Sequence, residues 1–251
     1  MGLYDNSAIG HIAEVVDMNS PITRIVCLAN SRKLSGRCIA GKELMAGGRI
    51  GGWIRPVSAR PNEEVSESER QYENGDEPRL LDIIDVPLLR MTPTGYQQEN
   101  WLLDPSRRWE RVQRFDVSAL DQLVDPIDVL WMDGHSSGSG SNDRIPLDDT
   151  ISLNDSLRMI KVEALQVTVS PPDREGGSPV LRGSFRYSTS DYSLRITDPE
   201  VEMRAAQLAY RDYTVGERCL TISLGEPFQG YTYKLIAGII RLVDEHAGEA
   251  S

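Results

Sequence analysis

The chain has 251 residues, 39% of them hydrophobic and 26% charged, which fits one large folded domain or two small ones. Its three cysteines form no CxxC pair, which argues against a disulfide framework or a structural zinc site and favours a reducing cytoplasm. The net charge of −11 argues against a generally basic nucleic-acid-binding protein, and no apolar run approaches the roughly 20 residues that cross a membrane.

The first half of the chain contains five segments whose apolar and β-branched residues are typical of strands. They cover residues 23–30, 36–41, 49–58, 79–91 and 100–112. Between the third and the fourth lies an acidic stretch, 61–76, that we interpret as helical. A short helix is predicted over 117–125, and GHSSGSGSN (134–142) has the composition of a flexible loop or linker.

The second half repeats this order. Strands are predicted at 157–169, 180–188, 192–198, 218–225 and 231–242. A helix begins near TDPEVEM, where Asp198 or Thr197 can cap it and Pro199 suits its first turn.

Each half therefore has three strands, a helix and two strands, which is the order of the five-stranded OB barrel. A generic α+β sandwich is the alternative. We predict a mainly β protein with short helices, built as two tandem OB-like five-stranded barrels. The predicted division is an N-terminal extension (1–21), a first barrel (22–133), a flexible Gly/Ser loop or linker (134–146), a second barrel (147–243) and a disordered tail (244–251).

Five unusual strings also resemble a known family. They are AGKEL (40–44), GGWIRPVS (51–58), LLDIIDVPLL (80–89), QQENW (97–101) and LTISLGEPFQGYTYKLIAGII (220–240). Together they resemble the dual OB-containing domain family of bacterial proteins, over roughly residues 22–243. The resemblance implies two OB folds in one unit and assigns no activity.

In the first barrel, the basic block carries the candidate binding residues. Residues 24–60 contain eight Lys or Arg and one acid, whereas 61–86 and 116–155 are strongly acidic. On a strand, Trp53 and Arg55 share one face and Ile54 points the other way. If Ile54 lies inside the barrel, Trp53 and Arg55 face outwards, as base stacking and phosphate binding require. Alternatively, Trp53 fills the core and Arg55 pairs with the acidic blocks.

The second barrel provides another candidate face. Alternation places Leu181, Phe185 and Tyr187 on one side of its second strand, and Arg182 and Arg186 on the other. The third strand adds Arg195 to the same side, so this face has three arginines and no acid. OB barrels bind oligonucleotides on this face and with the loop between strands four and five, where Phe228 and Tyr231 lie. The alternative is a solvated hairpin face.

Motifs of catalysis are weak in this sequence. GHSSG (134–138) fits the nucleophile elbow, but no helix can begin directly after it. His11, His135 and His246 lie outside the predicted strands and helices, which argues against a His-based triad or metal site. The glycines of GGRIGG (47–52) fit a barrel corner better than a phosphate loop. The carboxylates Asp82, Asp85, Glu99 and Asp104 leave a metal-dependent phosphodiester enzyme as a third hypothesis.

We therefore predict a cytoplasmic, non-catalytic binding module without cofactor, metal or membrane contact. Its predicted ligand is single-stranded nucleic acid or a nucleotide, and a protein partner is the alternative. The predicted ligand-binding residues are Trp53, Arg55, Arg32, Lys33, Arg182, Arg186, Arg195, Phe228 and Tyr231.

Overall fold

The first barrel consists of the segments predicted as strands in the first half of the chain. The computed structural model describes residues 20–242. The strands of this barrel are β1 (Ile22–Lys33), β2 (Gly36–Leu44), β3 (Ile50–Val57), β4 (Asp82–Met91) and β5 (Asn100–Leu103). Hydrogen bonds join them in the order β1-β2-β3-β5-β4 and back to β1, with β3 and β5 parallel. This closed ring confirms the predicted OB barrel.

The connection between β3 and β4 contains a single turn of α-helix, α1 (Glu67–Arg70). It begins with a capping box in which Ser66 and Glu69 exchange hydrogen bonds. The helix is shorter than the predicted 61–76, because Tyr72 packs into the barrel core and a turn follows at Gly75. After β5, the chain adds β6 (Glu110–Arg114) to the edge of β4.

The second barrel has the same connectivity. Its strands are β8 (Leu157–Val162), β9 (Leu165–Ser170), β10 (Val180–Tyr187), β11 (Ser190–Ile196), β13 (Arg218–Leu224) and β14 (Tyr231–Arg241). β8 and β9 are the two halves of the strand predicted over 157–169, so the path β9-β10-β11-β14-β13-β8 returns to its own starting strand. As in the first barrel, the third and fifth OB strands, β11 and β14, are parallel.

Three short elements complete this half. Helix α2 (Pro199–Ala205) lies between β11 and β13, with Asp198 as its N-cap. Two further strands, β7 (Arg144–Pro146) and β12 (Asp212–Val215), pair with β14 and β9. Neither was predicted, because each is too short to show periodicity.

The two barrels meet at an apolar junction. In β1, residues 25–29 are all buried because alternate side chains face in opposite directions. Ile25 and Cys27 line the core of the first barrel, whereas Val26 and Leu28 pack with residues of the second, including Met159 and Ile240. Gly238 of β14 lies so close to the carbonyl oxygen of Leu28 that a Cβ atom would not fit there.

The segment between the barrels is ordered by contacts with both of them. A 3₁₀ helix at Val117–Leu123, within the predicted helix, contributes Leu120 and Leu123 to the junction. Residues 134–142, expected to be a flexible loop or linker, form hydrogen bonds with Asp143 and with β11.

The described part of the chain has no helix long and apolar enough to span a membrane. The predicted N-terminal extension, apart from its last two residues, and the predicted tail lie outside the described residues, as do His11 and His246.

Candidate ligand-binding face

The face of the first barrel that was predicted to bind a ligand is buried in the junction. Ile54 points into the barrel core, so Trp53 and Arg55 do face away from it. Trp53 then packs against the apolar clusters between the barrels, and its indole N–H donates to Asp125 at 3.2 Å. Arg55 is only 3% exposed. The expectation of an open stacking surface at these two residues is wrong, because the second barrel covers it.

Arg55 is held in a buried polar network that joins the barrels. Its guanidinium lies 3.3 Å from the Glu99 carboxylate and also donates to Asn100 and to Ser223 of β13. Glu99 in turn accepts hydrogen bonds from the backbone N–H and hydroxyl of Ser156. Arg55 therefore pairs with Glu99, just before β5. The alternative interpretation had supposed a partner in one of the acidic blocks.

Arg32 and Lys33, at the end of β1, also form contacts between the barrels. Arg32 donates two hydrogen bonds to Glu202 of α2, and Lys33 pairs with Glu226 in the loop before β14 at 2.9 Å. Both side chains are therefore paired with carboxylates of the second barrel.

In the second barrel, the predicted alternation holds. Leu181, Phe185, Tyr192 and Leu194 are buried in the barrel core. On the opposite side, β10 and β11 place Arg182 directly across from Arg195, and Ser184 across from Ser193. The side chains of Arg186 and Arg195 are 68% and 51% exposed, so no other element covers this side completely.

Each arginine of this face has an acidic neighbour, which corrects the expectation of a face without acids. Arg186 lies 3.7 Å from Asp191, and Arg195 lies 3.6 Å from Asp173. Asp173 comes from the loop after β9, where strand alternation does not apply, whereas Asp191 lies in β11, one residue before the predicted start of that strand. Both pairs are exposed, and such pairs contribute little free energy, of the order of 0–1 kcal/mol.

Arg182 differs from the other two because it is fixed. It donates to the Ser193 carbonyl oxygen at 2.8 Å and to the Ser139 hydroxyl at 2.9 Å, and it lies 3.3 Å from Asp143. Asp143 is itself buried and accepts two hydrogen bonds from Ser137. The Gly/Ser loop thus orients one guanidinium at the edge of the face.

A groove of about 450 Å³ runs along this face. Arg182 and Arg195 line it, together with Asp173 and the hydroxyl-bearing residues Thr168, Ser170 and Ser193. Such a set of cationic and hydroxyl donors suits phosphate oxygens, which accept hydrogen bonds. We name this surface, formed by the outward side chains of β9, β10 and β11, the arginine face.

The loop before β14 presents two aromatic side chains. Phe228 is 60% exposed, whereas Tyr231 is half-buried under the Arg144 guanidinium, 4.0 Å from its ring centre. Residues 141–145 connect this loop with the arginine face, because Ser141 bridges to Ser193 and Ile145 pairs with Thr232. Sequence reasoning missed Arg144, Ser139 and Asp143, since they lie in a segment without periodicity.

The residues considered for catalysis are dispersed. Each candidate carboxylate has its own partner: Asp82 contacts Arg111, Asp85 contacts Arg24, Glu99 contacts Arg55, and Asp104 contacts Ser20. Within residues 20–242, no group of three or more His, Cys, Asp or Glu side chains is arranged to hold a metal ion. Ser136, in the GHSSG string, accepts a hydrogen bond from the Asn142 backbone in a loop, without the strand-turn-helix geometry of a nucleophile elbow.

A buried lysine lies beneath the arginine face. Lys234 lies 3.6 Å from Asp133 and over the Tyr192 ring, and burial lowers its pKa to about 8. Its ammonium group donates to the Met132 carbonyl oxygen. Because this side chain is fully enclosed, its role is to join the segment before β7 to β14.

A closed five-stranded OB barrel, packed against a second barrel of the same strand order, defines the class of this protein. The family model of the dual OB-containing domain matches residues 23–239, and the chain belongs to that family. No protein of curated function matches the chain. Among solved structures, the crystal structure of the tetrameric p202 HIN2 is similar over 86% of this chain and 88% of that chain, with 8% sequence identity and a TM-score of 0.27. This similarity is too low to bear on fold or function.

Proposed function

We propose that the protein is a non-catalytic binding module that holds single-stranded nucleic acid or a nucleotide on the arginine face. The observation that carries the proposal is the asymmetry between the barrels. The face built on β2 and β3 is covered in the junction, whereas the corresponding face of the second barrel is open and carries Arg182, Arg186 and Arg195. OB folds commonly bind oligonucleotides on this face.

The side chains divide the work of binding. The exposed guanidinium groups of Arg186 and Arg195 contact phosphates, which displace the weakly held Asp191 and Asp173. Arg182 is already oriented by Ser139 and Ser193, so less conformational entropy is lost when it binds. Phe228 offers an exposed ring on which a base can stack, and Tyr231 beside it is the second aromatic.

Fluorescence anisotropy with labelled oligothymidine, oligouridine and duplex DNA, over a series of salt concentrations, tests this function. We expect binding to a single strand that weakens as salt rises. Arg186→Glu/Arg195→Glu should weaken it and lower the slope of log K against log salt by about 1.4, since each phosphate contact contributes about 0.7 for single strands.

The control is Arg49→Glu/Arg90→Glu, which makes the same charge change at two exposed positions of the first barrel. It should bind nearly as the parent does. No binding of any strand at low salt, or equal loss in both variants, would contradict the proposal.

A protein partner is the second candidate, and it is favoured by one observation. Ile151 is 87% exposed and Leu147 hydrogen-bonds to Gly230, so apolar side chains flank the loop that carries Phe228. An adaptor function predicts a partner that is captured by the parent protein and lost with Ile151→Asp/Phe228→Asp, while Arg186→Glu/Arg195→Glu still captures it.

A further inference from the structure

A second concave site lies between the barrels, away from the arginine face. Its volume is about 570 Å³, which is in the range of small-molecule sites. One wall comes from the first barrel, with Asn30, Arg37 and the loop 75–80. The other comes from the start of α2 in the second barrel, with Glu200 and Met203. We name it the inter-barrel cleft.

Two arginines in this cleft have no partner. Within residues 20–242, the guanidinium groups of Arg37 and Arg79 form no hydrogen bond and no ion pair, although both residues line the cleft. Arg32, beside them, is different because it is bound to Glu202. Two unpaired guanidinium groups in one concave site are an arrangement that an anion would stabilise.

The carboxylates nearest to Arg37 are bound to other arginines. Burial lowers the pKa of this half-buried arginine, and Arg70 lowers it further. Glu77 and Glu202 raise it, but Glu77 is bound to Arg70 at 2.9 Å and Glu202 to Arg32 at 2.6 Å. The carboxylates near Arg37 are thus bound to other arginines, which leaves its guanidinium open to an anionic ligand.

The acids that line the cleft are mostly engaged with other groups. Glu77 pairs with Arg70, and Glu202 pairs with Arg32. Asp198 accepts the backbone N–H groups of Glu200, Val201 and Ile239. The two remaining acids are Asp76, which accepts from Asn74, and Glu200, which lies 3.9 Å from Arg204.

Asn30 adds a second, independent requirement. Its amide nitrogen donates to the Pro78 carbonyl oxygen at 2.7 Å, which fixes the orientation of the side chain. Its Oδ1 atom is then buried without a donor. Because this atom has almost no accessible surface, a donor reaches it only after a small shift of the Asn30 side chain. A ligand that fits this site then carries an anionic group for the arginines and an N–H or O–H donor for Asn30.

We propose that the inter-barrel cleft binds a phosphate-bearing small molecule of nucleotide size, with its phosphate between Arg37 and Arg79 and a donor group on Asn30. This site is separate from the arginine face, and the proposal does not depend on strand binding there. Nucleotides and inorganic phosphate share the anionic chemistry, but only nucleotides also carry donors apart from the phosphate, on the ribose and the base, because the O–H group of hydrogen phosphate lies on the anion itself.

Isothermal titration and thermal shift with AMP, ATP, GMP, adenosine and inorganic phosphate test the proposal. We expect at least one nucleotide to bind and raise the melting temperature, and adenosine to have no effect. Phosphate that binds as tightly as the nucleotides would identify the anion alone as the ligand and would remove the role of Asn30.

Variants locate the site. Arg37→Met and Arg79→Met should each weaken nucleotide binding by about 10-fold or more. Because neither guanidinium has a partner, Arg37→Met should not lower the melting temperature of the unliganded protein. Arg49→Met serves as the matched control and should bind as the parent does.

Three results would overturn the proposal: no nucleotide or phosphate binds, Arg37→Met destabilises the free protein without changing affinity, or binding is lost with Arg186→Glu/Arg195→Glu and kept with Arg79→Met. The last result would show that the ligand binds to the arginine face and not in the cleft. Failure of strand binding in the anisotropy experiment, with nucleotide binding retained here, would leave this proposal intact.

Discussion

Arg55 and Trp53 show what a single strand can and cannot reveal. Their alternation with Ile54 correctly places them outside the core of their own barrel. The cluster that Trp53 packs against includes Leu157 and Ala237, which come more than 100 residues later in the chain. No local pattern contains this information, so the sequence alone could not decide whether this face is exposed or covered.

The buried pair of Arg55 and Glu99 leads to a prediction about stability. Glu99→Leu removes the carboxylate and leaves the guanidinium buried, so we expect the free energy of unfolding to fall by about 3–5 kcal/mol. Urea denaturation measures this loss.

The double variant Arg55→Met/Glu99→Leu provides the control, because it removes both charges. It should be more stable than Glu99→Leu alone, since no charge is left buried without a partner. A double variant whose loss equals the sum of the losses of Glu99→Leu and Arg55→Met, each measured alone, would show that the pair does not act as a unit.

At the scale of the element, strand order and strand position were predictable from the sequence. Apolar, β-branched runs separated by glycine and proline gave nearly every long strand, and the cap at Asp198 gave the start of α2. The Gly/Ser loop was not predictable, because its order comes from Asp143 and from backbone hydrogen bonds to β11 rather than from its own composition. The same loop orients Arg182, so part of the candidate site was hidden with it.

The N-cap of α2 leads to a pH prediction. Burial raises the pKa of Asp198 to about 6, even though three backbone N–H groups donate to it. The folded state therefore holds this proton more tightly than the unfolded chain, whose pKa is near 3.9. Its contribution to stability is complete below pH 4 and is lost as the pH rises through about 6.

Asp198→Asn cannot ionise, and comparison with it isolates this contribution. The stability of the parent protein relative to the variant should fall between pH 4 and pH 6, as measured by urea denaturation across that range. A constant difference over this range would mean that Asp198 is ionised throughout.

The whole molecule is organised by the junction between the barrels. The strings that carry the family resemblance supply many of its residues, including Lys42, Trp53, Glu99 and Gly238. Lys42 and Trp53 both bind Asp125, which lies in the segment that connects the barrels. The junction explains why the chain has one open OB face rather than two.

Close packing at Gly238 makes the junction testable. A methyl group there would collide with the Leu28 carbonyl oxygen, and backbone cannot move aside as a flexible side chain can. We expect Gly238→Ala to lower the free energy of unfolding by about 1–3 kcal/mol. Gly216→Ala, where a methyl group meets no atom within 4 Å, is the control and should be nearly neutral.

Hydrogen exchange with and without a bound oligothymidine strand tests the central claim most directly, because it reports both OB faces in one experiment. The account predicts slower exchange in residues 180–196, which form β10 and β11 of the arginine face, and no change in residues 51–58 of the junction. Slower exchange in 51–58 without any change in 180–196 would contradict it, because the buried face would then be the one that binds.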